Sequence, residues 1–175
     1  MPAPRVERRL VAILAADVVG YSRLMEQDEQ GTFARLRAHR KEMLEPLVAE
    51  HRGRIVKLTG DGALCEFQSV VDTVACAIQI QQAIAEREKV VPEDKRIRFR
   101  IGVNLGDVIR EEDGDLYGDG VNIAARLEAM AETGGVLISG TAFDHLKGKL
   151  DCPLEYLGEH PLKNIERPVR VYGSW

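Results

Sequence analysis

The sequence predicts an α+β sandwich, a mainly antiparallel sheet with helices over one face and the other face left open. Three observations carry this. Apolar runs with strand character alternate with stretches at helical spacing, an Asp-Gly pair sits between two alternating apolar runs, and 175 residues with 45% hydrophobic content support one buried core. A single domain over residues 1–175 is therefore expected, with room for it to be part of a longer multidomain protein.

The first strand is the almost wholly apolar run Leu10–Ala16, which ends on Asp17. Gly20-Tyr21-Ser22 then opens a long helical stretch whose inward face is read from Phe33, Leu36, Met43, Leu44, Leu47 and Val48. The charges between them, Arg35, Arg37, Arg40, Lys41 and Glu45, read most simply as a solvated face. Arg52-Gly53 leads into the hairpin Ile55–Phe67, with Asp61 at its tip. Val70, Val71, Val74, Ala77, Ile78 and Ile84 form the stripe of a second helix that Pro92 brings to an end.

Arg96–Leu105 is the cleanest strand, with Ile97, Phe99, Ile101, Val103 and Leu105 on one face and Arg98, Arg100 and Asn104 on the other. An acidic, glycine-containing excursion over 110–120 follows. A helix from Val121 to about Ala131, a strand at Val136–Ser139, a short helix near Phe143–Leu146 and two closing strands complete the chain.

A net charge of −4 argues against a protein built to grip nucleic acid, which needs a basic face. Cys65, Cys76 and Cys152 lack the paired spacing of a zinc site and fit buried, reduced thiols. His39, His51, His145 and His160 are scattered and read as surface or packing residues. No apolar run reaches the ~18 residues that a bilayer requires, and no signal peptide is evident. A cytoplasmic location is expected.

Asp17 and Asp61 each have an ordinary explanation, as a helix cap and as hairpin chemistry. Together, at a strand end and a hairpin tip, they are placed like the carboxylates of a two-metal site for phosphoryl displacement. Magnesium suits such a pair, since it takes one or two carboxylates and completes its shell with phosphate oxygens and water. Val18, Val19, Gly20, Tyr21 and Ser22 can turn backbone N–H groups toward a phosphate. Asn122 and Arg126 lie four apart on one helical face and can reach one ligand, although a solvated edge would look the same.

Three ordered segments, Ala16-Asp-Val-Val-Gly-Tyr-Ser22, Lys57-Leu-Thr-Gly-Asp61 and Gly118-Asp-Gly-Val-Asn-Ile-Ala-Ala-Arg-Leu-Glu128, closely resemble the class III nucleotidyl cyclase catalytic domain. The likeness covers nearly the whole chain and is most like the bacterial adenylate cyclases. It implies a ferredoxin-like sandwich, pairing of two copies head to tail, and active sites shared between them. By the resemblance, Asp17 and Asp61 hold two Mg2+ or Mn2+ ions and Arg100 contacts the triphosphate from the same subunit. The other subunit supplies Lys57 and Asp115 to read adenine, Asn122 to orient the ribose, Arg126 to stabilise charge at the α-phosphate, and Lys163 to hold the terminal phosphates.

The implied reaction is conversion of ATP to 3′,5′-cyclic AMP and pyrophosphate by in-line attack of the ribose 3′-hydroxyl. Guanylyl members of the family carry Glu and Cys-like residues where Lys57 and Asp115 stand, so ATP is the expected substrate and GTP the alternative. A diguanylate cyclase or polymerase palm would share the paired carboxylates but not the helix with Asn122 and Arg126. A catalytically silent nucleotide-binding dimerisation module is the remaining alternative, against which stands the presence of Asp17, Asp61, Lys57, Asn122 and Arg126 together. Lys57 and Asp61 are at most about 13 Å apart at extended-strand rise. The resemblance nonetheless assigns them to two different active sites.

Overall fold

The computed structural model describes residues 7–146 and 148–174. Residues 1–6, Lys147 and Trp175 of the expected domain lie outside the described residues. The strands are β1 (Glu7–Val18), β2 (Arg54–Thr59), β3 (Gly62–Phe67), β4 (Phe99–Arg110), β5 (Leu116–Tyr117), β6 (Val136–Ser139), β7 (Glu155–His160) and β8 (Val169–Ser174). They form one eight-stranded sheet in the order β2-β3-β1-β4-β6-β8-β7, with β5 paired to β4. Only the β4–β6 pairing is parallel, so the sheet is mixed but mainly antiparallel, as expected.

β1 takes a central position because Val11 to Ala16 carry nothing that needs water, and all six are buried. Ala12, Leu14 and Ala16 face the main helical layer of α2 (Glu29–His39), α3 (Glu45–Glu50), α4 (Val70–Glu88) and α6 (Gly140–Leu146), whose buried side chains share their cluster. Val11, Ile13 and Ala15 face the other way, toward Val108, Leu116 and Ala124. The second face is therefore not left open, a correction to the sequence reading: α5 (Asp119–Met130) lies across it. Gly102 makes that approach possible, since a Cβ there would stand 2.3 Å from the Ala124 carbonyl oxygen and 2.4 Å from the Glu128 nitrogen. Asn104, on the same face of β4, is buried and donates to the Gly120 carbonyl (3.0 Å) at the start of α5.

The long helical stretch after β1 is broken into α1 (Tyr21–Gln27), α2, a π-helical turn (Arg40–Leu44) and α3. Asp28 makes the first break by accepting from the Gly31 N–H (2.9 Å), which caps α2. The π turn adds a residue to one turn and so rotates the apolar stripe. Leu36, Met43, Leu44 and Val48 are buried as expected, but Phe33 is 55% exposed.

Two of the arginines read as solvated are engaged. Arg35 donates to the Lys95 carbonyl (2.8 Å) and stands 3.4 Å from Glu88 Oε2, while Arg40 reaches the β2–β3 hairpin. Glu88 itself is buried at the end of α4, accepting from the Ile97 N–H (2.7 Å) with His39 Nε2 3.2 Å away. Burial opposes its ionisation, yet His39, the Ile97 N–H and Arg35 outweigh that and hold its carboxyl below the usual range. Because the folded value is the depressed one, this contribution is complete above the ordinary 4.5 and is lost as pH falls below it. Glu88→Ala, which strands Arg35 beside an emptied buried site, is expected to cost about 3–5 kcal/mol in urea denaturation at neutral pH. A loss under ~1 kcal/mol would show the network to be dispensable.

Cys65 and Cys76 are buried, and burial pushes both thiols up to about 12, in keeping with inert reduced cysteines. Among the described residues no helix is long and apolar enough to cross a membrane.

Candidate active site

The antiparallel register of β1 and β4 sets Asp17 directly opposite Arg100, on the face that α5 covers. Arg100 grips the carboxylate with two donors, Nη2 to Oδ2 at 3.1 Å and Nε to Oδ1 at 3.3 Å. Its third nitrogen, Nη1, donates to the Ala129 carbonyl (3.0 Å) in the last turn of α5, where a cation is favoured. The bond to Asp17 raises the Arg100 pKa above its ordinary value.

Asp61 arrives from the other side. β2 and β3 pair from Thr59–Gly62 back, so Gly60 and Asp61 form a two-residue turn. Pairing of Ala16 with Ala63 brings that turn alongside the end of β1. A Cβ on Gly62 would lie 3.1 Å from the Ala16 carbonyl oxygen and 4.0 Å from Asp17 Cβ, which measures how closely the hairpin tip rests against Asp17.

Glu128 of α5 completes the cluster. Burial, then the charge and hydrogen bond of Asp17, and finally the charge of Asp61, outweigh Arg100 and push its carboxyl up to about 8. Three carboxyls thus crowd one guanidinium, and that crowding, with burial, opposes ionisation of Glu128.

A second group gathers on the same sheet face around β2, β5 and α5. Lys57 Nζ lies 3.2 Å from Asp115 Oδ1 and 3.3 Å from Oδ2, and 5.7 Å from the centre of the Tyr117 ring. Partial burial works against ionisation of Asp115. The Leu116 N–H, the Tyr117 hydroxyl and Lys57 overcome it and hold the carboxylate below its usual range. Asn122 is exposed on the first turn of α5, and Arg126, one turn on, is half-buried with a buried Nε that has no hydrogen-bond partner among the described residues. Lys163 is exposed in the turn between β7 and β8.

That turn lies at the far end of the sheet from Asp17. Ser174 pairs with Val136, which pairs with Ile101 beside Arg100, whereas Val169, at the other end of β8, adjoins the Lys163 turn. The five residue steps from Val169 to Ser174 span about 17 Å of strand. The structure thus brings Asp17, Asp61 and Arg100 together and Lys57 and Asp115 together, while Lys163 stays apart from the first group.

Of the turn after β1, Val18 is buried and the Val19 N–H is committed to the Arg98 carbonyl (2.8 Å). Of the N–H groups expected from the sequence to turn toward a phosphate, that of Val19 is thus already bonded within the chain. Gly20, at φ 62°, turns the chain into α1 through the left-handed region.

Glu128 and Tyr117 were missed from the sequence. Glu128 ends the Gly118–Glu128 segment and Tyr117 immediately precedes it, but only the packing of α5 on Gly102 and the pairing of β5 with β4 show where they meet the other charges. Asp17 and Asp61 fit a divalent ion: both are hard oxygen donors, and the hairpin tip that carries Asp61 rests against the end of β1 at Asp17. Among the described residues no cluster of three or more His, Cys, Asp or Glu side chains forms a self-sufficient metal cage.

Residues 4–172 match the adenylate and guanylate cyclase catalytic domain. A Rhizobium meliloti protein provisionally named adenylate cyclase 3 is 54% identical over 175 residues, all of this chain and 30% of that protein. The chain spans 20–54% of the length of this and the next two curated relatives. A crystal structure of an adenylate/guanylate cyclase/hydrolase from Silicibacter pomeroyi superposes with TM-score 0.87 at 46% identity, covering 95% of this chain and 96% of that one. The adenylyl cyclase CyaB of P. aeruginosa shares the fold with TM-score 0.87 at 22% identity, covering 97% and 95%.

Proposed function

Because the chain belongs to the adenylate and guanylate cyclase catalytic domain family, we propose that it is an adenylate cyclase acting as a homodimer with two shared active sites. It is read as one catalytic domain of a longer protein, working in the cytoplasm, where ATP is supplied. The reaction forms a bond from the ribose 3′-oxygen to the α-phosphorus and breaks the bond from that phosphorus to the pyrophosphate oxygen, with the hydroxyl proton released.

Asp17 and Asp61 hold two Mg2+ or Mn2+ ions, which when bound lower the pKa of the 3′-hydroxyl and neutralise the triphosphate. Arg100, already beside Asp17, adds positive charge next to the phosphates, and Gly20, Tyr21 and Ser22 offer backbone N–H donors. From the second copy, Asn122 orients the ribose and Arg126 presents its guanidinium to the α-phosphate. Lys163 of that copy neutralises the terminal phosphates.

The observation that carries the choice of base is the ion pair of Lys57 with Asp115. Adenine donates from its exocyclic amine and accepts at its ring nitrogens. A carboxylate beside an ammonium answers that pattern, and guanine reverses it. Incubation with ATP or GTP and Mn2+, followed by chromatography, is expected to give cyclic AMP and no cyclic GMP. Cyclic GMP, or neither product, overturns the proposal.

Lys57→Glu is expected to lower kcat/KM for ATP by roughly 10- to 100-fold, the worth of one charge-assisted contact. The Mn2+ concentration for half-activity should stay unchanged. A shift in metal dependence instead would place Lys57 with the ions.

A further inference from the structure

The turn that carries Asp61 rests on the end of β1 through Gly62 but is open on its Gly60 side. It lies on the β2 edge of the sheet, and a Cβ placed on Gly60 would meet nothing within 4 Å. A two-residue turn so placed can swing unless something polar ties it down.

Arg40 supplies the tie. Its Nη2 donates to the Thr59 and Gly60 carbonyls at 2.9 Å each and to the Gly62 carbonyl at 3.2 Å, so that one nitrogen spans the backbone on both sides of Asp61. Among the described residues no ion pair joins Arg40 to the Asp61 carboxylate, which is left to act on Arg100 and Glu128. Arg40 is also the first residue of the π-helical turn, the wide turn that buries Met43 and Leu44 beneath it. A π turn inside a helix carries a cost that recurs mostly at functional sites.

We propose that Arg40 is a positioning residue for Asp61, fixing the hairpin tip where that carboxylate shares a divalent cation with Asp17. The inference rests on the reading of Asp17 and Asp61 as the metal pair. Arg40 touches neither metal nor nucleotide and acts through three carbonyls. Removing it frees the tip without removing a ligand, so metal affinity suffers more than the chemical step does.

The test measures Mn2+ binding by electron paramagnetic resonance in the presence of 3′-deoxy-ATP, which lacks the attacking hydroxyl, together with cyclase kinetics and hydrogen exchange across residues 57–64. Arg40→Ala is expected to weaken Mn2+ binding about 10- to 100-fold, in the range found when a residue that orients a ligand is lost. The Mn2+ concentration for half-activity should rise in step, kcat at saturating Mn2+ should change by less than about threefold, and exchange at the tip should quicken. Arg40→Lys, which keeps one donor, should recover part of the affinity and serves if the alanine variant folds poorly. Arg37→Ala, one turn away with no bond to the hairpin, should match wild type.

Mn2+ binding within twofold of wild type in Arg40→Ala, with tip exchange unchanged, overturns the inference. Asp61→Ala separates the two readings. If it loses Mn2+ while Arg40→Ala does not, the role of Arg40 fails alone. If it binds Mn2+ normally, the metal assignment fails first.

Discussion

Asp17→Ala is expected to lower cyclic AMP formation by about 10³-fold or more, because under the proposed assignment it deletes one of the two carboxylates that would fix the ions at the reacting phosphate, a term worth several kcal/mol of barrier. The loss should be kinetic rather than a failure to fold. The Asp17 side chain is 21% exposed and that of Arg100 30%, so screening by water limits the worth of their ion pair to stability. The variant also strips Glu128 of its main electrostatic opponent, so that carboxyl should ionise more readily, and Arg100 keeps only its bond to Ala129. Asp61→Ala should match the kinetic loss from the other strand of the site. The measurement is turnover of ATP with Mn2+ at saturation, alongside thermal unfolding. A near-normal rate in Asp17→Ala removes it from the metal site, and a collapse in melting temperature would recast it as a structural residue.

How much of this site the sequence disclosed depends on whether the signal was local. Asp17 at the end of an apolar run, Asp61 at an Asp-Gly turn and the period-two pattern of β4 are patterns a few residues long, and each element forms close to where expected, although β4 starts at Phe99 and runs on to Arg110 rather than spanning 96–105. What covers the second face of the sheet was not legible, because alternation reports that a face is half-buried without saying by what. Gly102 reads as a gap in a strand until α5 is seen to approach within the reach of a methyl group. Arg40 was misread for a similar reason. A charged residue between apolar ones in a helix fits a solvated face, and its partners at Thr59, Gly60 and Gly62 lie about twenty positions away. Phe33 was assigned inward on a stripe that assumed one uninterrupted helix, and the π turn shifts that stripe.

The second large effect concerns assembly. Asp17→Ala and Arg126→Ala chains, each inactive alone, are expected on equimolar mixing to recover about a quarter of wild-type activity, as random exchange between two-fold dimers requires. Half the dimers are then mixed. In each, the Arg126→Ala chain contributes an intact Asp17 and the Asp17→Ala chain an intact Arg126, so one site is whole and the other lacks both residues. The physical ground is the layout of the sheet. Arg100 at one end of β4 and Lys163 beyond the far end of β8 are both assigned to the triphosphate, yet about 17 Å of strand separates their ends of the sheet. In one copy the two stand at opposite ends of the sheet, whereas two copies facing head to tail can bring opposite ends together. If every residue of a site came from one chain, mixing would recover nothing at any ratio. Activity that stays proportional to enzyme concentration well below the dimer dissociation constant would have the same meaning.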